Sequence, residues 1–149
     1  MMAGAVGAQT VITLERGLCL GTCPAYTVSL FDTGKVVFEG KLHVRFKGIQ
    51  TAAIERAKVA ALAAELERAG FFALQDKYTR RRMTDMVTVV TTVRIGRRFK
   101  RIEHYRGDSS APKILSVLEG RIDAVAGSQR WIRGGAAPPS RPAGEGQRR

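Results

Sequence analysis

The sequence predicts an α+β fold: an antiparallel sheet of five to six strands with two helices on one face, in the order β-hairpin, helix, β-hairpin, helix. Three observations carry that expectation. Residues 26–40 alternate apolar and polar side chains on both sides of an Asp-Thr-Gly turn. Residues 87–105 hold a β-branched run that doubles back at Gly96-Arg97. Each hairpin is followed by a stretch whose apolar residues recur at helical spacing.

Residues 1–10 read as a loose lead-in, and Val11-Ile-Thr-Leu-Glu15 alternates as a short strand. Cys19 and Cys23 bracket a tight loop in which Gly21 can take backbone angles closed to other residues, and Pro24 ends it by pushing Cys23 towards extended geometry. In the hairpin that follows, Tyr26, Val28 and Leu30 share one face of the first strand, Val36 and Phe38 one face of the return strand, and Gly34 supplies the positive φ of a three-residue turn. Leu42 to Phe46 is expected as a further strand, with Leu42, Val44 and Phe46 inward and His43 and Arg45 outward.

Thr51 is expected to cap a helix over 52–69 whose buried stripe is Val59, Leu62, Leu66 and Ala69, with Gly70 as its left-handed end. Phe71, Phe72 and Leu74 continue into the core. Lys77 to Met86 reads as an exposed connection. Val87 to Ile95 is the clearest strand in the chain, and Arg98 to Tyr105 returns antiparallel. In that register Arg94, Phe99, Arg101 and Tyr105 share a face. Asp108 to Pro112 opens the second helix, with Ile114, Leu118, Ile122 and Val125 buried, Gly127 as its end and Trp131 as a lid on the core edge. Residues 11–133 thus form one domain, and GGAAPPSRPAGEGQRR (134–149) is a disordered tail.

The two cysteines admit three readings. First stands a structural pair, either reduced and packed or joined as a disulfide. A redox pair is disfavoured, because the spacing is Cys-x-x-x-Cys and no helix start follows to depress a thiol pKa. A metal site would join Cys19 and Cys23 to His43 and His104, a ligand set suited to zinc but carried by two widely separated single histidines.

Cys-Leu-Gly-Thr-Cys-Pro-Ala-Tyr over 19–26, followed by Val28, Leu30, Gly34, Phe38 and Gly40, resembles an uncharacterised bacterial family, domain of unknown function 6438. Ala69-Gly-Phe-Phe72, Tyr78-Thr79, Thr84-Asp85, Lys100 to Tyr105, Ile122-Asp123 and Trp131-Ile132 extend the resemblance over roughly 12–132. It implies no activity, cofactor or substrate. Members often look exported, which suits a disulfide.

The 149 residues carry a formal charge of +12. Ten cationic residues against Asp85 and Glu103 put a net +8 into 77–106, and clustered charge of this kind attracts polyanions. The first ten residues show neither a basic n-region nor an apolar h-region, so the expectation is cytoplasmic, with export left open. There is no run of eighteen apolar residues to span a membrane.

Three function classes follow. A non-enzymatic interaction module, binding a protein or an acidic surface through its basic hairpin or an exposed sheet face, ranks first. Second is a nucleic-acid-associated protein, whose polyanion-binding residues would be Arg80, Arg81, Arg82, Arg94, Arg98, Phe99, Lys100, Arg101 and Tyr105. Arginines ringing the core edge, with Phe99 and Tyr105 packed beneath, are the competing reading of the same residues. Third is a thiol-redox or metal-dependent enzyme resting on Cys19, Cys23, His43 and His104. No cofactor is implied, and no phosphate-binding glycine loop or nucleophile elbow is present.

Overall fold

A computed structural model describes residues 9–80 and 85–133. The α+β class holds, with a larger sheet than expected: seven strands in the order β4-β3-β2-β1-β6-β7-β5. β1 (Thr10–Arg16), β2 (Ala25–Phe31), β3 (Lys35–Leu42) and β4 (Gly48–Ala53) form an antiparallel meander. The hairpin of β6 (Thr88–Ile95) and β7 (Arg98–Tyr105) joins it along β1, and the two-residue β5 (Lys77–Tyr78) lies parallel to β7 at the far edge. Helices α1 (Arg56–Arg68), α2 (Lys113–Ala126) and the single turn α3 (Gln129–Ile132) complete the chain, with a 3-10 turn at Phe71–Ala73.

β1 is central because both of its edges are paired and its inward residues, Ile12 and Leu14, are fully buried. Ile12 sits between Leu30 and Val93, and Leu14 between Val28 and Thr91. α1 lays Val59, Leu62, Ala63 and Leu66 onto this face, and α2 adds Leu115, Leu118, Ile122 and Ala126. Each such leucine or isoleucine contributes about 1.5–3 kcal/mol through the area it removes from water. Phe38 lies between the rings of Tyr26 and Trp131, at centroid distances of 5.3 and 5.1 Å, so Trp131 closes the core as expected.

Several expectations need correction. Leu42 to Phe46 is not a strand: β3 ends at Leu42, His43 takes φ 58°, and the loop turns to α3. There the Arg45 and Phe46 N–H groups donate to the Ile132 and Trp131 carbonyls at 3.0 and 3.1 Å. Thr51 caps no helix. It lies in β4 opposite Val37, and the helix begins only at Arg56. Ile49 and Thr51 are β-branched and weak helix formers, so the ladder offered by β3 wins. Ile114 is partly exposed and Leu115 takes its place in the core, because α2 starts at Lys113 with Pro112 at its cap. Tyr78 is buried in β5 and not part of an exposed connection. Gly34 (φ 94°), Gly70 (φ 81°) and Gly127 (φ 71°) take the left-handed geometry read from the sequence. The lead-in over 1–8 and the tail over 134–149 lie outside the described residues.

Replacing Phe38 with alanine is expected to cost about 3–5 kcal/mol of stability. The same variant should red-shift Trp131 emission, measured by denaturant titration and fluorescence. Unchanged emission would mean that Trp131 does not depend on this ring.

Candidate functional site

β1 runs out at Arg16, and Gly17 donates its N–H to the Thr88 carbonyl at 3.1 Å. Gly21 adopts φ 125°, and Cys19 and Cys23 are joined as a disulfide with their Cα atoms 5.6 Å apart. Closing so short a loop contributes about 2 kcal/mol in the chain-entropy treatment. The loop is tied to the start of the second hairpin through Leu20 N–H to the Asp85 carbonyl at 3.1 Å, and the Leu20 side chain stands 76% exposed.

Under this loop a polar row crosses the inner face of the sheet. Tyr26, Arg16, Val89 and His104 are register neighbours on β2, β1, β6 and β7. α2 meets them with Glu119 and Asp123, one turn apart on the same helix face. The Tyr26 hydroxyl donates to the Asp123 carboxylate at 2.8 Å and accepts from Arg16 Nε at 3.1 Å, while Arg16 Nε also lies 2.9 Å from Asp123 Oδ2. His104 Nδ1 is 2.6 Å from Glu119 Oε2. Arg106 Nη1 stands 3.5 Å from Glu119 Oε1 without making a hydrogen bond, so that oxygen joins Thr91 Oγ1 and Ser128 Oγ as buried and unbonded.

Burial, and then the Asp123 carboxylate, hold the Tyr26 phenol well above the usual tyrosine range. Burial, the largest single influence, would by itself depress the Arg16 guanidinium, but Asp123, Tyr26 and Glu119 together outweigh it and leave it raised. Tyr26, His104 and Glu119 are 1%, 3% and 1% exposed, while the Arg16 and Asp123 side chains are partly buried, 17% and 13% exposed. The chemistry of the row is that of a clamp: opposite charges and hydrogen bonds fix α2 across the sheet.

The basic residues divide by face. Arg98 and Lys100 point to the helix side: Arg98 pairs with Glu67 at 2.6 Å and lies over the Phe72 ring at 4.1 Å, and Lys100 pairs with Asp76 at 2.8 Å and donates to the Leu74 carbonyl. That pairing holds the Asp76 carboxyl below its ordinary value. Arg80 is exposed, and its backbone N–H donates to Asp108 Oδ2 at 2.8 Å. Asp108 also receives the Ser110 hydroxyl and N–H, and these bonds lower its pKa. Arg81 and Arg82 lie outside the described residues.

Arg94, Phe99, Arg101 and Tyr105 do share the opposite, helix-free face. Tyr105 is buried there, with Gly107 folded against its ring, whereas Phe99 is 53% exposed under the Arg94 guanidinium at 5.0 Å. The strand registers order this face into rows. Phe31, Val11, Arg94 and Phe99 form one; Thr51, Val37, Ser29, Thr13, Thr92 and Arg101 the next; Ile49, Glu39, Thr27, Glu15, Val90 and Glu103 the third. The face therefore runs from aromatic and basic at the Gly96 end to glutamate-rich at the disulfide end, where Lys41 Nζ lies 3.9 Å from Glu15 Oε2. A shallow cleft of about 330 Å³ lined by Asp76, Lys77, Phe99, Lys100 and Arg101 borders its basic corner.

The profile described as "Domain of unknown function (DUF6438)" matches residues 10–126, most of the chain. The chain belongs to the DUF6438 family. No curated protein matches it. The matched span starts with β1 and ends with α2, so it holds the disulfide loop and the whole polar row of the DUF6438 domain, with Trp131 beyond it.

The structure does not bring Cys19, Cys23, His43 and His104 of the DUF6438 chain together. The sulfurs are bonded to each other, His43 is exposed beyond β3, and His104, on β7 with three strands between it and β3, is held by Glu119 of α2. Among the described residues, three or more His, Cys, Asp or Glu side chains nowhere converge as a metal site. Sequence reading missed Arg16, Glu119, Asp123 and Arg106. One signal was available: Glu119 and Asp123 fall in phase with the apolar stripe Leu115, Leu118, Ile122, where a carboxylate needs a partner.

A raised phenol pKa means that the fold favours neutral Tyr26. That contribution is complete below the ordinary tyrosine value of about 10 and is lost as pH rises from there towards the folded value. Tyr26→Phe should cost about 1–2 kcal/mol at neutral pH. It should also decline less steeply than the parent between neutral and strongly alkaline pH in thermal melts. Parallel declines would separate Tyr26 from the alkaline loss.

Proposed function

We propose that this chain is a non-enzymatic binding module that docks the acidic surface of a partner protein on the helix-free face of its sheet, through Arg94, Phe99 and Arg101. The observation carrying this reading is the exposed Phe99 ring beneath the Arg94 guanidinium, in one row with the apolar side chains of Val11 and Phe31. Arginine beside a rigid aromatic is the composition from which the strongly contributing centres of protein interfaces are built. Arg98 and Lys100 are committed to Glu67, Asp76 and the Leu74 carbonyl, so they belong to the module's frame.

A protein partner fits this face better than nucleic acid does. The third row places Glu15, Glu39 and Glu103 on the same surface, where a phosphate backbone crossing the sheet would meet them. A partner protein can oppose a basic corner and an acidic end at once. Disulfides persist where thiols are oxidised, and the Cys19–Cys23 bond supports an oxidising compartment for the module. No helix among the described residues is long and apolar enough to cross a membrane.

Binding to poly-glutamate, read by fluorescence anisotropy, should weaken at least about tenfold in Arg94→Glu with Arg101→Glu and fall with added salt, while Arg98→Ala stays near the parent. A single-stranded oligonucleotide should bind more weakly than poly-glutamate. Retained poly-glutamate binding by the double variant would overturn the assignment of the face, and preference for the oligonucleotide would overturn the partner class.

A further inference from the structure

The two edges of the sheet are unlike. β5 covers only the Glu103–His104 stretch of β7, and the uncovered stretch carries Arg98, Lys100 and Arg101. Cationic side chains of this kind keep a strand edge from pairing with another chain. β4, at the other edge, is six residues long, GIQTAA, without a charge or a proline, and Ile49 on it is 59% exposed.

The backbone of β4 fixes which groups face outward. Ile54 N–H donates to the Gly34 carbonyl at 2.8 Å, directly across the ladder to β3. Hydrogen-bonded pairs alternate along an antiparallel ladder, so Ala52, Gln50 and Gly48 turn their polar groups to β3. The N–H and C=O groups of Ile49, Thr51 and Ala53 point away from the sheet.

The geometry points to reversible self-association through antiparallel pairing of β4 with β4 of a second copy, about a two-fold axis at Thr51. On that axis Ile49 lies opposite Ala53 of the second copy and Thr51 opposite Thr51, and every one of these residues has its hydrogen-bonding groups turned outward. Ile49 then packs over the small Ala53 side chain. Lys47 and Glu55 flank Thr51 at equal separation in the sequence, so the same axis brings Lys47 of one copy beside Glu55 of the other, twice. That charge complementarity is what selects a second copy over another extended segment: the edge is complementary to itself, as a two-fold interface must be. The Arg94–Phe99 patch stands at the far side of the sheet and is left uncovered. One strand pair buries less than the ~1,200 Å² of a stable interface, so the dimer is weak and concentration-dependent.

Sedimentation equilibrium of the full chain over about a hundredfold concentration range should give a monomer–dimer equilibrium. Thr51→Pro removes an outward N–H and leaves the bonds to β3 in place, so it should weaken association at least about tenfold with an unchanged circular dichroism spectrum. Lys47→Glu should weaken it as well, and Lys47→Glu with Glu55→Lys should restore it. The amides of Ile49, Thr51 and Ala53 should gain hydrogen-exchange protection with concentration. A chain that stays monomeric throughout, or a dimer indifferent to Thr51→Pro, would overturn the proposal. If Thr51→Pro does not fold, the charge swap decides: no loss in Lys47→Glu, or no rescue by the second change, overturns it.

Discussion

The Asp123 carboxylate receives the Tyr26 hydroxyl at 2.8 Å and the Arg16 guanidinium at 2.9 Å, and through these two bonds α2 is fixed to the middle of the sheet. Arg16 is the last residue of β1 and Tyr26 the second of β2, so the same contacts hold the two ends of the disulfide-closed loop in register. A charged hydrogen bond in a partly buried setting contributes about 1.5–3 kcal/mol. Removing one member costs more than that where it strands the other inside. The disulfide and the clamp thus act on one segment from opposite sides: the bond limits the freedom of residues 19–23, and the clamp fixes where the segment leaves and re-enters the sheet.

One-sided coverage follows from the same arrangement. α1 and α2 bury the face that carries Ile12, Leu14, Val28, Leu30 and Phe38, leaving the other face without a helical layer. Threonine and serine make up most of its middle row, which a β-sheet exposed to water tolerates well. Against that neutral background the Phe99–Arg94 corner and the glutamates at the other end stand out. The basic charge of the chain is therefore of two kinds. Arg16, Arg98 and Lys100 are internal partners of Asp123, Glu67 and Asp76, whereas Arg94 and Arg101 face outward.

What was legible in the sequence was what depends on near neighbours. The period-2 alternation from Tyr26 to Phe38 and the β-branched run into Gly96-Arg97 specify their hairpins locally, and the glycines at 34, 70 and 127 mark turns that need positive φ. β4 was lost because GIQTAA is short and weakly patterned; only the long-range ladder with Val37 and its neighbours makes it a strand. Thr51 as an N-cap satisfied local rules that the sheet then overrode. The clamp was legible on one side only: Asp123 lies in phase with the buried stripe of α2, but Arg16 is 107 residues away and carries no local signature that names it as the partner. For the cysteines, spacing alone allowed a thiol pair, a redox pair or metal ligands, and only their placement within 5.6 Å resolved it to a disulfide.

A double-mutant cycle between Tyr26→Phe and Asp123→Ala, followed by denaturant unfolding at neutral pH, tests most directly whether this clamp organises the fold. Residues that share one hydrogen-bond network couple by about 0.5–3 kcal/mol, and the account predicts a value in the upper half of that range. Losses that simply add, leaving no coupling between the two positions, would contradict it.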